Sequence, residues 1–335
     1  VSHGNYDFVR SKWGTDGKTG RVNVLPNGDI LVGKNRTHDG GLTWTYLLSM
    51  PGEVAFLDSN ANLYTWDSAS KSLYRGTYSD NYSNPAAVLV LPEGVGFNST
   101  TKAFAEDSDG NIYAGTYQEL FHCEILKSID GGLTWNRCYY NSVNQHVHTI
   151  TVDPYTTPNT IYAGLDGKVA DIKAIKSVDG GSNWTILPIP FPADDYGIFY
   201  CGDGFRLGGG ESPLVVGGGV TIYKTTDDVN FYPVLNTHQR TGQSVRKLGK
   251  YIFAGIASTW ADRTAKIMVS EDDGETWKTA FTENFINSYN AGLGHREISA
   301  AQIAPSISNE EVLFTSPSYI WDEHPELKFL PVQIY

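Results

Sequence analysis

Apolar residues in this chain come in short runs, each closed by glycine, proline, asparagine or aspartate. Arg21-Val22-Asn23-Val24-Leu25 leads into the turn Pro26-Asn27-Gly28-Asp29 and then into Ile30-Leu31-Val32-Gly33. The same order returns in Ala103-Phe104-Ala105, Asp107-Ser108-Asp109-Gly110 and Ile112-Tyr113-Ala114-Gly115, and again in His148 to Val152 with Ile161-Tyr162-Ala163-Gly164. Glycine or proline interrupts the chain too often for helices of ordinary length, and no 3.6-residue periodicity is sustained. The pattern predicts an all-β protein of short strands.

A second pattern punctuates the first. Ser128-Ile129-Asp130-Gly131-Gly132-Leu133-Thr134-Trp135 has the form S-x-D-x-G-x-T-W, which suits a self-locked hairpin. The aspartate accepts backbone N–H groups, the glycine takes an angle closed to other residues, and the tryptophan fills the space beneath. Copies surround Asp39, Asp179 and Asp272, and a worn copy surrounds Asp227. These five aspartates are separated by 91, 49, 48 and 45 residues, so the first gap holds two periods. In the second repeat only Ser79-Asp80-Asn81 stands where the box belongs.

Fixed spacing of this size marks a propeller or solenoid array. With the box as the turn between third and fourth strands, the chain parses into seven four-stranded repeats at about 14–50, 51–93, 94–142, 143–190, 191–236, 237–284 and 285–335. The expected fold is a seven-bladed β-propeller of antiparallel blades, 1–335 forming one domain, because closure protects the strand edges an open array exposes.

Composition narrows the partners. Among 335 residues the formal net charge is −12, which argues against nucleic acid and anionic membrane surfaces, since both need a basic footprint. No apolar run approaches the roughly 20 residues of a membrane-spanning helix. The chain opens Val1-Ser2-His3 and reads as a processed or trimmed form. Cys123 and Cys138 straddle the central hairpin at similar distances from its turn, so they are either bridged, implying an oxidising compartment, or free. Cys201 reads as a small buried hydrophobe. Asp107-Ser108-Asp109-Gly110 opens like a calcium loop but lacks the later glutamate and sits where a hairpin turn belongs, so no metal or cofactor is expected.

The boxes resemble the Asp-box, or bacterial neuraminidase repeat, and the phrases around His148 to Pro154 and Asn159 to Gly164 are similar to the blade grammar of that sialidase-like propeller superfamily. The resemblance implies that the boxes are structural and lie away from the ligand face. It leaves function open, because such propellers include glycosidases, polysaccharide lyases, inhibitors, assembly factors and phage receptor-binding proteins.

Candidate chemistry then falls in the connections entering each first strand and between second and third strands. These hold Tyr117, Glu119 and His122 among other polar and aromatic residues, a mixture suited to a sugar's hydroxyls and apolar face. The candidate catalytic residues are His148, Tyr196, His295 and Glu297, and the candidate substrate-binding residues Arg21, His146, Asp195, Arg240, Arg246, Trp260, Arg263 and Arg296. Arg21 matches the first carboxylate-binding arginine of the sialidase F/Y-R-I-P segment, but Asn23 replaces its proline; a sialidase proper is disfavoured, because those enzymes are usually six-bladed. Histidine or tyrosine as base, with arginine neutralising a uronate, is what β-elimination needs; a histidine or carboxylate acid serves hydrolysis. The expectation is an extracellular or virion-borne carbohydrate-active enzyme, hydrolase or lyase. The alternatives are a non-catalytic glycan- or receptor-binding module and a protein-docking propeller.

Overall fold

The short apolar runs fold as strands, and neighbouring runs pair antiparallel across the turns that separate them, giving an all-β propeller with four-stranded antiparallel blades. The computed structural model describes residues 2–3, 6–8, 22–39, 43–97, 103–118, 122–142, 145–167, 174–190, 197–209, 222–236, 241–256, 264–284, 298–304, 312–317 and 332–334. The chain divides into two compact units, one of Val1–Leu47 with Val234–Tyr335 and one of Leu48–Pro233. Among the described residues no helix is long and apolar enough to cross a membrane.

The first unit begins with β1 (Ser2–His3) and β2 (Tyr6–Phe8), followed by a blade of β3 (Val22–Val24), β4 (Ile30–Val32), β5 (Asn35–Thr37) and β6 (Thr45–Tyr46). The second unit opens with β7 (Glu53–Leu57), β8 (Leu63–Asp67), β9 (Ser72–Gly76) and β10 (Ala86–Val90), then the short β11 (Val95–Gly96). Its next blade is β12 (Phe104–Glu106), β13 (Ile112–Gly115), β15 (Cys123–Ser128) and β16 (Asn136–Asn141), with β14 (Tyr117–Gln118) set aside to pair with β11. Two blades follow: β17 (Gln145–Asp153) to β20 (Thr185–Ile186) through β18 (Thr160–Gly167) and β19 (Ala174–Ser177), and β21 (Gly197–Gly202) to β24 (Tyr232–Leu235) through β22 (Phe205–Gly209) and β23 (Ile222–Thr225). The chain returns to the first unit with β25 (Thr241–Leu248), β26 (Tyr251–Ile256), β27 (Thr264–Ser270) and β28 (Lys278–Asn284), then β29 (Ile298–Ala304), β30 (Val312–Pro317) and β31 (Val332–Ile334).

The described blades number six rather than the seven expected from the repeat count. Among the described residues of the seventh repeat, β29 and β30 form a two-stranded sheet, and β31 pairs with β2 near the start of the chain. In the repeat at 191–236 the second strand is Phe205–Gly209.

The boxes fold as their sequence predicts. Asp130 Oδ1 accepts the Thr134 N–H at 2.9 Å, Oδ2 accepts the Thr134 hydroxyl at 2.6 Å, and the Ser128 hydroxyl donates to Oδ1 at 2.8 Å. Asp39, Asp179, Asp227 and Asp272 repeat the scheme, with Asn183 and Asn230 supplying amides where others supply threonine hydroxyls. These bonds to the ionised form, led by the Thr134 hydroxyl, hold Asp130 at about 2, and Asn183 does the same for Asp179.

What the sequence did not announce is how one blade grips the next within the second unit. The Tyr64 hydroxyl reaches the Gly131 carbonyl of the following box at 2.8 Å, 67 residues on. Tyr113 reaches the Gly180 carbonyl at 3.2 Å, also 67 on, and Tyr162 reaches Asp228 Oδ2 at 2.9 Å, 66 on. A cation on the neighbouring strand joins each link: Arg75 donates to the Tyr64 hydroxyl, Lys127 to the Gly180 carbonyl, and Lys176 to Asp228. Gly132 has φ +79, and a Cβ there would lie 2.3 Å from the Tyr64 hydroxyl oxygen, so the box glycine makes room for the neighbouring tyrosine. Apolar clusters between successive sheets complete the packing, one joining Tyr64, Trp66, Phe97 and Phe104, the next Ile125, Val147, Ile161 and Ile175.

The cysteines are free. In the β15–β16 register Cys123 stands opposite Asn141, while Cys138 is the extra residue at the bulge facing Ile125 and Leu126, and its thiol donates to the Ile125 carbonyl. Burial pushes Cys123 up to about 12 and Cys138 up to about 11, leaving both as neutral thiols at physiological pH. The Asp107 turn likewise satisfies its carboxylate internally, with Asn111 and the Tyr113 hydroxyl as donors.

Candidate functional site

In an antiparallel four-stranded blade, the start of the first strand and the connection between the second and third lie at one end; the first turn and the box lie at the other. Tyr117, His122, Gln145, His146 and His148 therefore belong to the end opposite the boxes, on the β13–β15 connection and the start of β17.

Local sequence explains how they are brought together. Gly115 ends β13, and a Cβ there would sit 2.4 Å from Val147 Cγ1, so only glycine lets β17 approach this closely. The Val147 N–H then donates to the Thr116 carbonyl at 3.0 Å, and Thr116 N–H to the Glu124 carbonyl at 2.9 Å. Tyr117, next in the chain, pairs with Gly96 on β11. Its ring is thereby laid against His146, with centroids 4.1 Å apart, and near His148 at 5.9 Å.

A β-bulge re-aims the second histidine. The β17–β18 register shifts between Val147 and Thr149, leaving His148 as the extra residue. The first strands β7 and β21 carry bulges at the same place, where the extra residue is Ala55 or Phe199, both buried. Only this blade puts an imidazole there among the three. His148 is 9% exposed, and its Nε2 lies 2.6 Å from Nε2 of His146. In such a contact one nitrogen donates and the other accepts, so the pair holds a single proton between two bases. This arrangement is equipped to take a proton from a bound molecule or to give one to it.

Beside this cluster lies a second polar group. Glu124 Oε1 is 3.1 Å from Arg137 Nη1 and 3.3 Å from His122 Nε2, and the half-exposed Tyr140 ring is flanked by His122 and by the Arg137 guanidinium. Gln145 accepts a hydrogen bond from Asn141 at 3.2 Å and so ties the end of β16 to the start of β17. Among the described residues, no group of three or more histidine, cysteine, aspartate or glutamate side chains gathers as a metal site.

Of the residues singled out from sequence, His146 and His148 are brought together. Arg246 lies on β25 in the other unit; Nη1 donates to the Val245 carbonyl at 3.0 Å, and burial pulls the guanidinium below its usual value. Arg21, Asp195, Tyr196, Arg240, Trp260, Arg263, His295, Arg296 and Glu297 lie outside the described residues. Tyr117 was named among the loop residues suited to a sugar but was not given a catalytic or binding role of its own. Its signal was positional: an aromatic two residues past the Ile-Tyr-Ala-Gly strand.

No protein-family model matches the chain, and no curated protein sequence matches it. Solved structures do. A GH74 xyloglucanase from Xanthomonas campestris superposes with a TM-score of 0.62 at 15% identity, over 94% of this chain and 53% of its own, so the chain spans about half of that enzyme. An oligogalacturonate lyase in complex with manganese gives 0.58 at 10% identity, covering 98% of this chain and 96% of the lyase. A chain of a mitotic checkpoint complex gives 0.59 at 10% identity, covering 97% and 90%. At such identities the likeness is one of fold, and the fold is the β-propeller.

Proposed function

We propose that the protein is a carbohydrate-active propeller of the Asp-box kind, a hydrolase or lyase that engages a glycan at the blade ends opposite the boxes, in an extracellular or virion setting. The observation that carries this reading is the Tyr117–His146–His148 cluster. An imidazole pair sharing one proton, partly buried and walled by an aromatic ring, supplies the base that removes a sugar ring proton in elimination or the acid that protonates a leaving oxygen in hydrolysis. The tyrosine offers a face to the apolar side of a sugar, and the neighbouring Glu124, Arg137 and Gln145 offer hydrogen-bonding partners for its hydroxyls. That one fold serves a xyloglucanase and an oligogalacturonate lyase fits both reaction types and decides neither.

The test is a polysaccharide panel assayed for new reducing ends and for the absorbance of unsaturated uronates. His148→Ala is expected to lower kcat on the responsive glycan by roughly 10²–10⁴-fold, the usual worth of a general acid or base, while binding persists. Undiminished turnover in that variant would sink the assignment. Binding without turnover in the unaltered protein would point to recognition alone.

A further inference from the structure

The boxes of the second unit carry apolar side chains that their hairpins do not need. Ile129, Leu133, Val178 and Val229 are each more than half exposed, and so is Tyr155 on the β17–β18 turn at the same blade end. The hairpin around Asp272 closes through the same bonds with Glu271 where Ile129 and Val178 stand, and with Glu275 where Leu133 and Val229 stand. Glutamate serves the turn equally well. Exposed apolar groups gathered at one end of a unit, where the fold does not require them, mark an interaction surface.

These positions are joined through the boxes themselves. Lys127, on the strand that leads to Ile129, donates to the Gly180 carbonyl of the next box at 2.9 Å, and Lys176, leading to Val178, meets Asp228 of the following box at 2.8 Å. Arg206 then bridges that box to the turn that holds Tyr155, donating to the Thr226 carbonyl at 3.3 Å and lying 3.4 Å from Asp153 Oδ2. All three cations are thereby engaged within the fold. The turns at 58–62, 107–111, 153–159 and 203–204 and the boxes at 128–135, 177–184 and 225–231 contain no lysine or arginine. Their exposed charge is that of carboxylates, with Asp130 and Asp227 beside the apolar residues and Asp109 and Asp203 on neighbouring turns.

We propose that this end of the second unit docks a polypeptide segment in which lysine or arginine is interspersed with leucine or aromatic side chains. Carboxylates set beside apolar groups suit a chain that brings cations and apolar groups together. A neutral glycan offers no cation, and a second copy of this chain, with its net charge of −12 and the same carboxylates, meets like charge. The apolar side chains supply contact area, and the aspartates select the sign of the partner. The surface is independent of the glycan reading, which concerns the opposite blade ends.

An array of random-sequence peptides probed with the labelled full chain tests it, followed by titration of the bound peptides in solution. Bound sequences are expected to be rich in lysine or arginine together with leucine, phenylalanine or tryptophan. Ile129→Thr combined with Val178→Thr should weaken them roughly tenfold through the loss of two apolar contacts. Thr226 occupies that position in the worn box, so the double variant should fold, with an unchanged Tm as the check. Leu133→Ser, which copies Ser182 of the neighbouring box, is a second variant with the same expected direction. Val90→Thr, on the exposed β10 strand, should leave binding intact. Enrichment of neutral or acidic sequences, binding that tracks lysine content alone and survives in both box variants, or no bound class at all would overturn the proposal. So would self-association in light scattering that the box variants abolish, since a second copy would then be the occupant.

Discussion

At the scale of single residues, the tyrosine of the second strand does two jobs. Buried between sheets, it fills the core; through its hydroxyl it reaches the next box. Burial raises the Tyr113 phenol above its usual range, with the nearby Asp107 charge adding to the effect, so it remains a donor at any ordinary pH. Removing that hydroxyl leaves no orphan, because Asn111 still serves Asp107 Oδ2 and Lys127 still serves the Gly180 carbonyl. Tyr113→Phe should therefore cost only about 1 kcal/mol, the net worth of one hydrogen bond. Gly132→Ala should cost more, roughly 1–3 kcal/mol from positive φ alone, before the collision with Tyr64 is counted. Urea unfolding of the two variants checks the order; equal losses would mean that the glycine's contact with its neighbour contributes nothing.

At the scale of elements, the box makes a prediction about acid. Its aspartates are held below their ordinary range, Asp130, Asp179 and Asp227 at about 2, because hydrogen bonds favour the charged form. A depressed folded-state value adds stability that is fully present above about pH 4 and is lost as pH falls toward 2. The Tm gap between the protein and Asp130→Asn should hold steady from pH 7 to 5 and close below about pH 3. A gap independent of pH would show that the carboxylate's charge is immaterial. The box was legible because its bonds span four residues or fewer, so residue types alone specify them. Features set by register were not. The pairing sets Cys123 opposite Asn141 and not opposite Cys138, and a bulge made His148 rather than a neighbour the re-aimed residue. The blade count was over-read for a related reason: residues near the end carry strand-like composition, but composition does not say which partner a strand will take, and β31 took β2. The blade-to-blade link was in the letters all along, as a tyrosine followed by a box glycine 67 residues later, yet only a known period reveals such a distance as a contact.

At the scale of the whole molecule, the net charge of −12 bears on how an acidic glycan would arrive. A surface of that sign repels an anionic chain at long range, whereas hydrogen bonds to it at the partly buried Tyr117–His146–His148 cluster would be short-range. The two effects respond oppositely to salt. Raising ionic strength from about 0.01 M to 0.15 M shortens the Debye length from about 30 Å to about 8 Å, which mutes the long-range repulsion and leaves buried contacts less affected. Association of an oligouronate should therefore speed up over this range in stopped-flow measurements, while its dissociation rate changes little. A basic footprint gives the contrary behaviour, with association slowing as salt rises. If salt slows the encounter, a local positive field outweighs the molecule's overall charge at the site, and the anion would be steered by cations gathered there.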